Sequence, residues 1–162
     1  MKNNFRKNGA IGALLDEYEK SILELNSLIH SISHKELITV ADELTKDPEC
    51  KSIQTVLSHV ITSGYGYAII IRKSMGEEID YKDDLVFSST EEYQEQLLKM
   101  FDFNVQLFED YPKIKLEEYK NEHKILVRWG QKYDVEQLME HAIVHVLRHR
   151  RQIQKFLYKL RS

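Results

Sequence analysis

The chain has 162 residues, 42% of them apolar, and a formal charge of −3. That length suits one domain, spanning 1–162, around one core. The charge argues against a nucleic-acid partner, and no apolar run approaches the roughly 20 residues of a membrane span.

The N-terminal stretch MKNNFRKNGAIGALL lacks a long apolar core and a clear cleavage site, so no signal peptide is expected. Cys50 is the one cysteine, which excludes an intrachain disulfide and a cysteine-based zinc site and fits a reducing cytoplasm. The scarcity of punctuation, two prolines and six glycines, favours long helices.

Periodicity predicts a first helix over 9–32, where Ile11, Leu15, Tyr18, Ile22, Leu25, Ile29 and Ile32 form one apolar stripe. Residues 33–50 read as a short helical turn and a loop, broken at Asp47-Pro48. Ser52 is the expected N-cap of a second helix over 53–75. Its inner stripe runs Val56, His59, Ser63, Gly66 or Tyr67, and Ile70.

An acidic, polar loop covers 76–87. Ser89 and Glu92 then form a capping box for a third helix over 90–110, with Tyr93, Leu97, Met100, Asn104, Leu107 and Tyr111 on one face. Residues 113–132 break the pattern, and 114–119 with 124–129 fit two short strands of a hairpin. Asp134 and Gln137 cap the last helix, expected over 135–160. The fold expected is all-α, a four-helix bundle with a short β-hairpin or extended insert before the last helix.

The last helix carries HAIVHVLRH, which places His141, His145 and His149 at four-residue intervals. Neighbours at that spacing share a face and can grip one ion. The outer two lie roughly 12 Å apart along the axis, so a third ligand must come from another helix. The apolar stripe Leu138, Ala142, His145, His149, Ile153, Phe156 points His145 and His149 inward and leaves His141 at its edge.

His59, on the inward stripe of the second helix beside the small Ser63 and Gly66, is the best third ligand. Three histidines and a vacant position are the arrangement of a catalytic metal. Such a set suits zinc, nickel, copper or iron. The competing reading makes each inward histidine a core residue with its own buried hydrogen-bond partner.

His30, His34 and His123 read as solvated or capping groups, and His141 as a surface or supporting residue. Tyr67 reads as core packing or as a proton donor, and Trp129 and Tyr133 as anchors of the hairpin or as the rim of a pocket. The basic cluster Arg148, Arg150, Arg151, Lys155, Lys159 and Arg161 suits a helix C-terminus. The chain has no His-Glu-x-x-His, no glycine-rich phosphate loop and no Gly-x-Ser-x-Gly elbow.

SIQTVLSHV in the second helix and HAIVHVLRHRRQI in the last resemble the two signatures of the DinB/YfiT-like superfamily. The likeness runs along essentially the whole chain, including WGQKYD before the last helix, Arg150 and Gln152; Arg151 departs from the family's glycine. The resemblance implies a four-helix bundle of DinB/YfiT type in which His59, His145 and His149 bind a divalent metal, commonly nickel or zinc.

It further implies a small-molecule substrate, and relatives often form homodimers. Some relatives transfer a low-molecular-weight thiol such as bacillithiol to electrophiles, one group isomerises maleylpyruvate with mycothiol, and others are assigned as metal-dependent hydrolases. The family name refers to induction by DNA damage. The leading expectation is therefore a metal-dependent thiol S-transferase. The alternatives are a metal-dependent hydrolase and a noncatalytic metal-binding stress-response protein.

Overall fold

The four stretches with helical apolar periodicity are helices in the computed structural model, which describes residues 5–83 and 85–162. They are α1 (Gly9–Ile29), α3 (Ile53–Ser74), α4 (Thr90–Asp110) and α5 (Val135–Arg161), with a one-turn helix α2 (His34–Ile38) between the first two. Side-chain oxygens set the starts of three of them. Ser52, Ser89 and Asp134 each accept from the backbone N–H three residues on, and Thr55, Glu92 and Gln137 reach back to complete the capping box. α1 stops three residues short of the expected end. The chain leaves the helix after Ile29 because Ser33 and Glu36 open a new capping box for α2, while Ile32 stays buried in the connection.

Each long helix packs against two others: α1 lies against α4 and α5, and α3 lies against the same pair. The stripe of α1 is driven into this core, with Tyr18, Ile22, Leu25 and Ile29 fully buried. Each such aliphatic side chain contributes about 1.5–3 kcal/mol by leaving water. α3 is buried around much of its circumference, from Ile53 and Val56 to Ala68, Ile69 and Ile71, since α2 and the loop after it cover the side the long helices leave open. On α4, Tyr93, Leu97, Met100, Asn104 and Leu107 are fully buried. The Asn104 amide nitrogen donates to the Gly64 and Met100 carbonyls, 3.1 and 2.9 Å away, while its Oδ1 is buried without a partner among the described residues.

The insert before α5 differs from the expected hairpin. Residues 114–119 form no strand. The two strands are β1 (Ile125–Leu126) and β2 (Lys132–Tyr133), antiparallel, with Ile125 opposite Tyr133 and Leu126 opposite Lys132. The turn between them falls where the second strand was expected to continue, because Gly130 adopts a left-handed φ of 83° that reverses the chain. The earlier segment instead runs extended against the core, packing Ile114 and Leu116, and the Leu116 carbonyl accepts from Glu136 N–H at the start of α5. Its apolar alternation reflects packing on helices rather than pairing in a sheet.

Two tethers matter for the site. A bridge between Val40 and Ser52, with Ala41 N–H donating to the Lys51 carbonyl at 2.8 Å, folds the loop after α2 back onto the start of α3. This seats the 3-10 turn Pro48–Cys50 against α3. Among the described residues, no helix is long and apolar enough to cross a membrane.

Candidate metal centre

The stripe of α5 carries His145 and His149 inward, 6% and 7% exposed, and α3 brings His59 to meet them from the other side. Nε2 of His145 lies 3.0 Å from Nε2 of His59 and 3.2 Å from Nε2 of His149. The ring centroids are 4.4–5.0 Å apart. The three residues lie close enough to hold one metal ion, and among the described residues they form the one such group of three. Nitrogens bound tetrahedrally at zinc–imidazole distances sit about 3.3 Å from one another, which is close to the spacing found.

The protons of the site explain why this cluster fits a cation. His59 presents Nδ1 to the Glu49 carboxylate at 3.0 Å, and His149 presents Nδ1 to Gln152 Oε1 at 2.9 Å. Both partners are acceptors, so both Nδ1 atoms carry a hydrogen, and with neutral rings both Nε2 atoms carry a lone pair. Those two lone pairs face the same Nε2 of His145. One hydrogen on that atom satisfies at most one of them fully. A cation at the common point satisfies all three. Burial, followed by the proximity of His149 and His59, pushes His145 down to about 2, and burial also lowers His149, so these rings are neutral as ligands must be.

Glu49 and Gln152 are thus the supporting groups that fix tautomer and ring orientation, the role that such partners play around bound metals. Gln152 enters the sequence reading only through the family resemblance, without a role. Glu49 was not legible, because it reaches His59 from a turn ten residues earlier through the fold of the 33–50 loop. Cys50 lies in the same turn, its Sγ 4.0 Å from Gln152 Oε1, and burial raises its thiol above the ordinary value.

His141 does not join the trio. It is half-buried, its ring stacked on Trp129 at 5.6 Å and 26° and standing 5.5 Å from Tyr67. His30, His34 and His123 are exposed. Several cations of the basic cluster tie elements together: Arg150 pairs with Glu24, Lys159 donates to the Ala41 carbonyl and Arg161 pairs with Glu36. Arg151 is exposed on the outer face of α5.

Two clefts reach His59, the one member of the trio that lines them. One, of 270 Å³, lies beside His59, Ser63, Gly66 and Tyr67 and is also lined by Trp129, Lys82 and Arg128. The small residues expected to leave room beside His59 do so. The other, of 200 Å³, lies between the Pro48–Glu49 turn and Gln54, Ser58 and Val86. Glu49 and His59 line both. No family model matches the chain, and no match is found among the curated proteins or the solved structures.

Proposed function

We propose that the chain is a divalent-metal-dependent enzyme on a four-helix bundle of the DinB/YfiT type, acting as a thiol-dependent S-transferase on small electrophiles. The observation that carries this reading is the convergence of three Nε2 atoms at 3.0 and 3.2 Å, two of them held as lone-pair donors by Glu49 and Gln152. The pairwise packing of four long helices and the two histidine-bearing segments support the family assignment. By the same resemblance the metal is nickel or zinc and the protein a homodimer, and the single cysteine fits a cytoplasmic setting.

His59, His145 and His149 would hold the metal. When bound, a divalent cation there supplies a Lewis acid that favours the thiolate form of a low-molecular-weight thiol. The chain's own residues do the rest. Glu49 and Gln152 keep the imidazoles aimed. Ser63 and Gly66 leave volume for a ligand beside His59. Tyr67 walls the cleft with a phenol that burial pushes above its ordinary value, so it remains a proton donor.

A metal-dependent hydrolase is the second reading, and Glu49 favours it. Its carboxylate is half exposed and borders both clefts, where it can accept a proton from water. The two readings separate on thiol dependence. With nickel- or zinc-loaded untagged protein, 1-chloro-2,4-dinitrobenzene should be consumed only when bacillithiol or cysteine is added. Turnover of ester substrates without thiol, and none of the electrophile with it, overturns the transferase in favour of the hydrolase.

A further inference from the structure

The larger cleft has an aromatic wall and a cationic rim. Tyr67 meets Trp129 edge-on at 6.4 Å, and Trp129 in turn stacks on His141. At the rim stand Lys82 and Arg128, and neither is ion-paired with a described acidic residue. The Arg128 guanidinium lies 3.5 Å from the centroid of the Tyr81 ring. A guanidinium held by its face keeps its in-plane N–H groups for an oxyanion.

The balance of charge points the same way. Among the described residues, Glu49 is the one acid lining the cleft, and its carboxylate faces His59 Nδ1. Lys82 and Arg128 set two cations against this one carboxylate in the described lining, and a divalent cation on the histidines would add to that balance. Arg148 adds to the field felt by Tyr67, His145 and His149.

We propose that this cleft binds a small anionic molecule with a flat apolar body, its carboxylate held by Arg128 and Lys82 and its body laid against Tyr67 and Trp129 beside His59. As the identity of a substrate class, the inference rests on the metal-dependent reading above. As a binding site it stands on the cleft alone. The geometry puts the anion at the rim and the body of the molecule toward the histidines, so the atoms nearest the trio belong to the uncharged end.

Benzoate and its neutral isostere benzamide are the probes. Trp129 is the chain's one tryptophan, so its fluorescence reports occupancy of this cleft, with calorimetry as a second readout. Both are titrated into the full chain, metal-free and nickel-loaded, as wild type and as the Arg128→Gln, Lys82→Gln double variant. Both substituted residues are exposed, so the fold is retained. Benzoate should saturate in both metal states, with benzamide about tenfold weaker or more, and the double variant should lose a similar factor.

Equal binding of the two probes, unchanged benzoate affinity in the double variant, or no saturable benzoate binding overturns the inference. Failure to take up nickel, with Arg128-dependent benzoate binding intact, removes the metal-dependent reading and leaves this site standing. Nickel uptake without that binding removes this inference alone.

Discussion

The Glu49 carboxylate lies 3.0 Å from Nδ1 of His59 and so decides which nitrogen of that ring faces the other two histidines. The pairing joins a 3-10 turn to the second turn of α3, and the Val40–Ser52 bridge holds the turn there. The tautomer of a ligand on one helix thus depends on how a separate loop is folded. Glu49→Gln keeps the shape but weakens the orienting acceptor. It should lower divalent-metal affinity by about 10–100-fold, the usual effect of removing a ligand's hydrogen-bond partner. Competition against a chromogenic chelator measures it, and an unchanged affinity would remove Glu49 from the site.

Among the three imidazoles, His145 is the hub, because its Nε2 faces both of the others. His145→Ala should abolish stoichiometric binding of nickel and zinc while the far-ultraviolet circular dichroism stays helical. His30→Ala, at an exposed position outside the trio, should bind metal as the wild type does. Full metal occupancy in both variants would show that the ligands lie elsewhere.

Two glycines of α3, two residues apart, should respond oppositely to alanine. A Cβ at Gly64 would lie 2.3 Å from Met100 Sδ, at the close approach of α3 to α4 where Asn104 also bonds the Gly64 carbonyl. Gly64→Ala should destabilise by about 1–3 kcal/mol, softened by the flexibility of methionine. A Cβ at Gly66 meets nothing within 4 Å. Gly66→Ala should be neutral or stabilising by up to about 1 kcal/mol, since alanine is the better helix former, while narrowing the cleft beside His59. Urea denaturation ranks the two, and the reverse order would contradict the packing described.

The helical content was legible because the stripes and caps are local signals. Ser52, Ser89 and Asp134 announce the starts of α3, α4 and α5 within three residues of sequence. His145 and His149 were legible as inward residues because 3.6-residue periodicity assigns them to the same face as Ala142 and Ile153. The strand partners were not legible, because Ile114 and Leu116 alternate as a strand does while packing on helices, and because the reversal depends on a single residue, Gly130, with positive φ. Glu49 and Arg128 were hidden for a related reason. Each reaches the site from a loop whose path depends on tertiary contacts, and no fixed spacing from a histidine marks either one.

Acid should loosen the tie between α2 and the end of α5. Arg161, then the backbone and hydroxyl of Ser33, hold the Glu36 carboxyl down at about 2 against an ordinary 4.5. A carboxylate depressed in the folded state stabilises it above the unfolded pKa, and that contribution is lost as pH falls from about 4.5 toward 2. The pair is solvent-screened, so the contribution is small. Urea denaturation of wild type and Arg161→Ala should therefore differ slightly at pH 7 and converge near pH 2. A gap that widens in acid would reverse the assignment.

The most direct measurement is the metal content of untagged protein, by mass spectrometry of the metal, after incubation with nickel or zinc and removal of excess ion. One divalent ion per chain is expected, lost in His145→Ala. Protein that emerges folded and metal-free after both incubations would contradict that expectation.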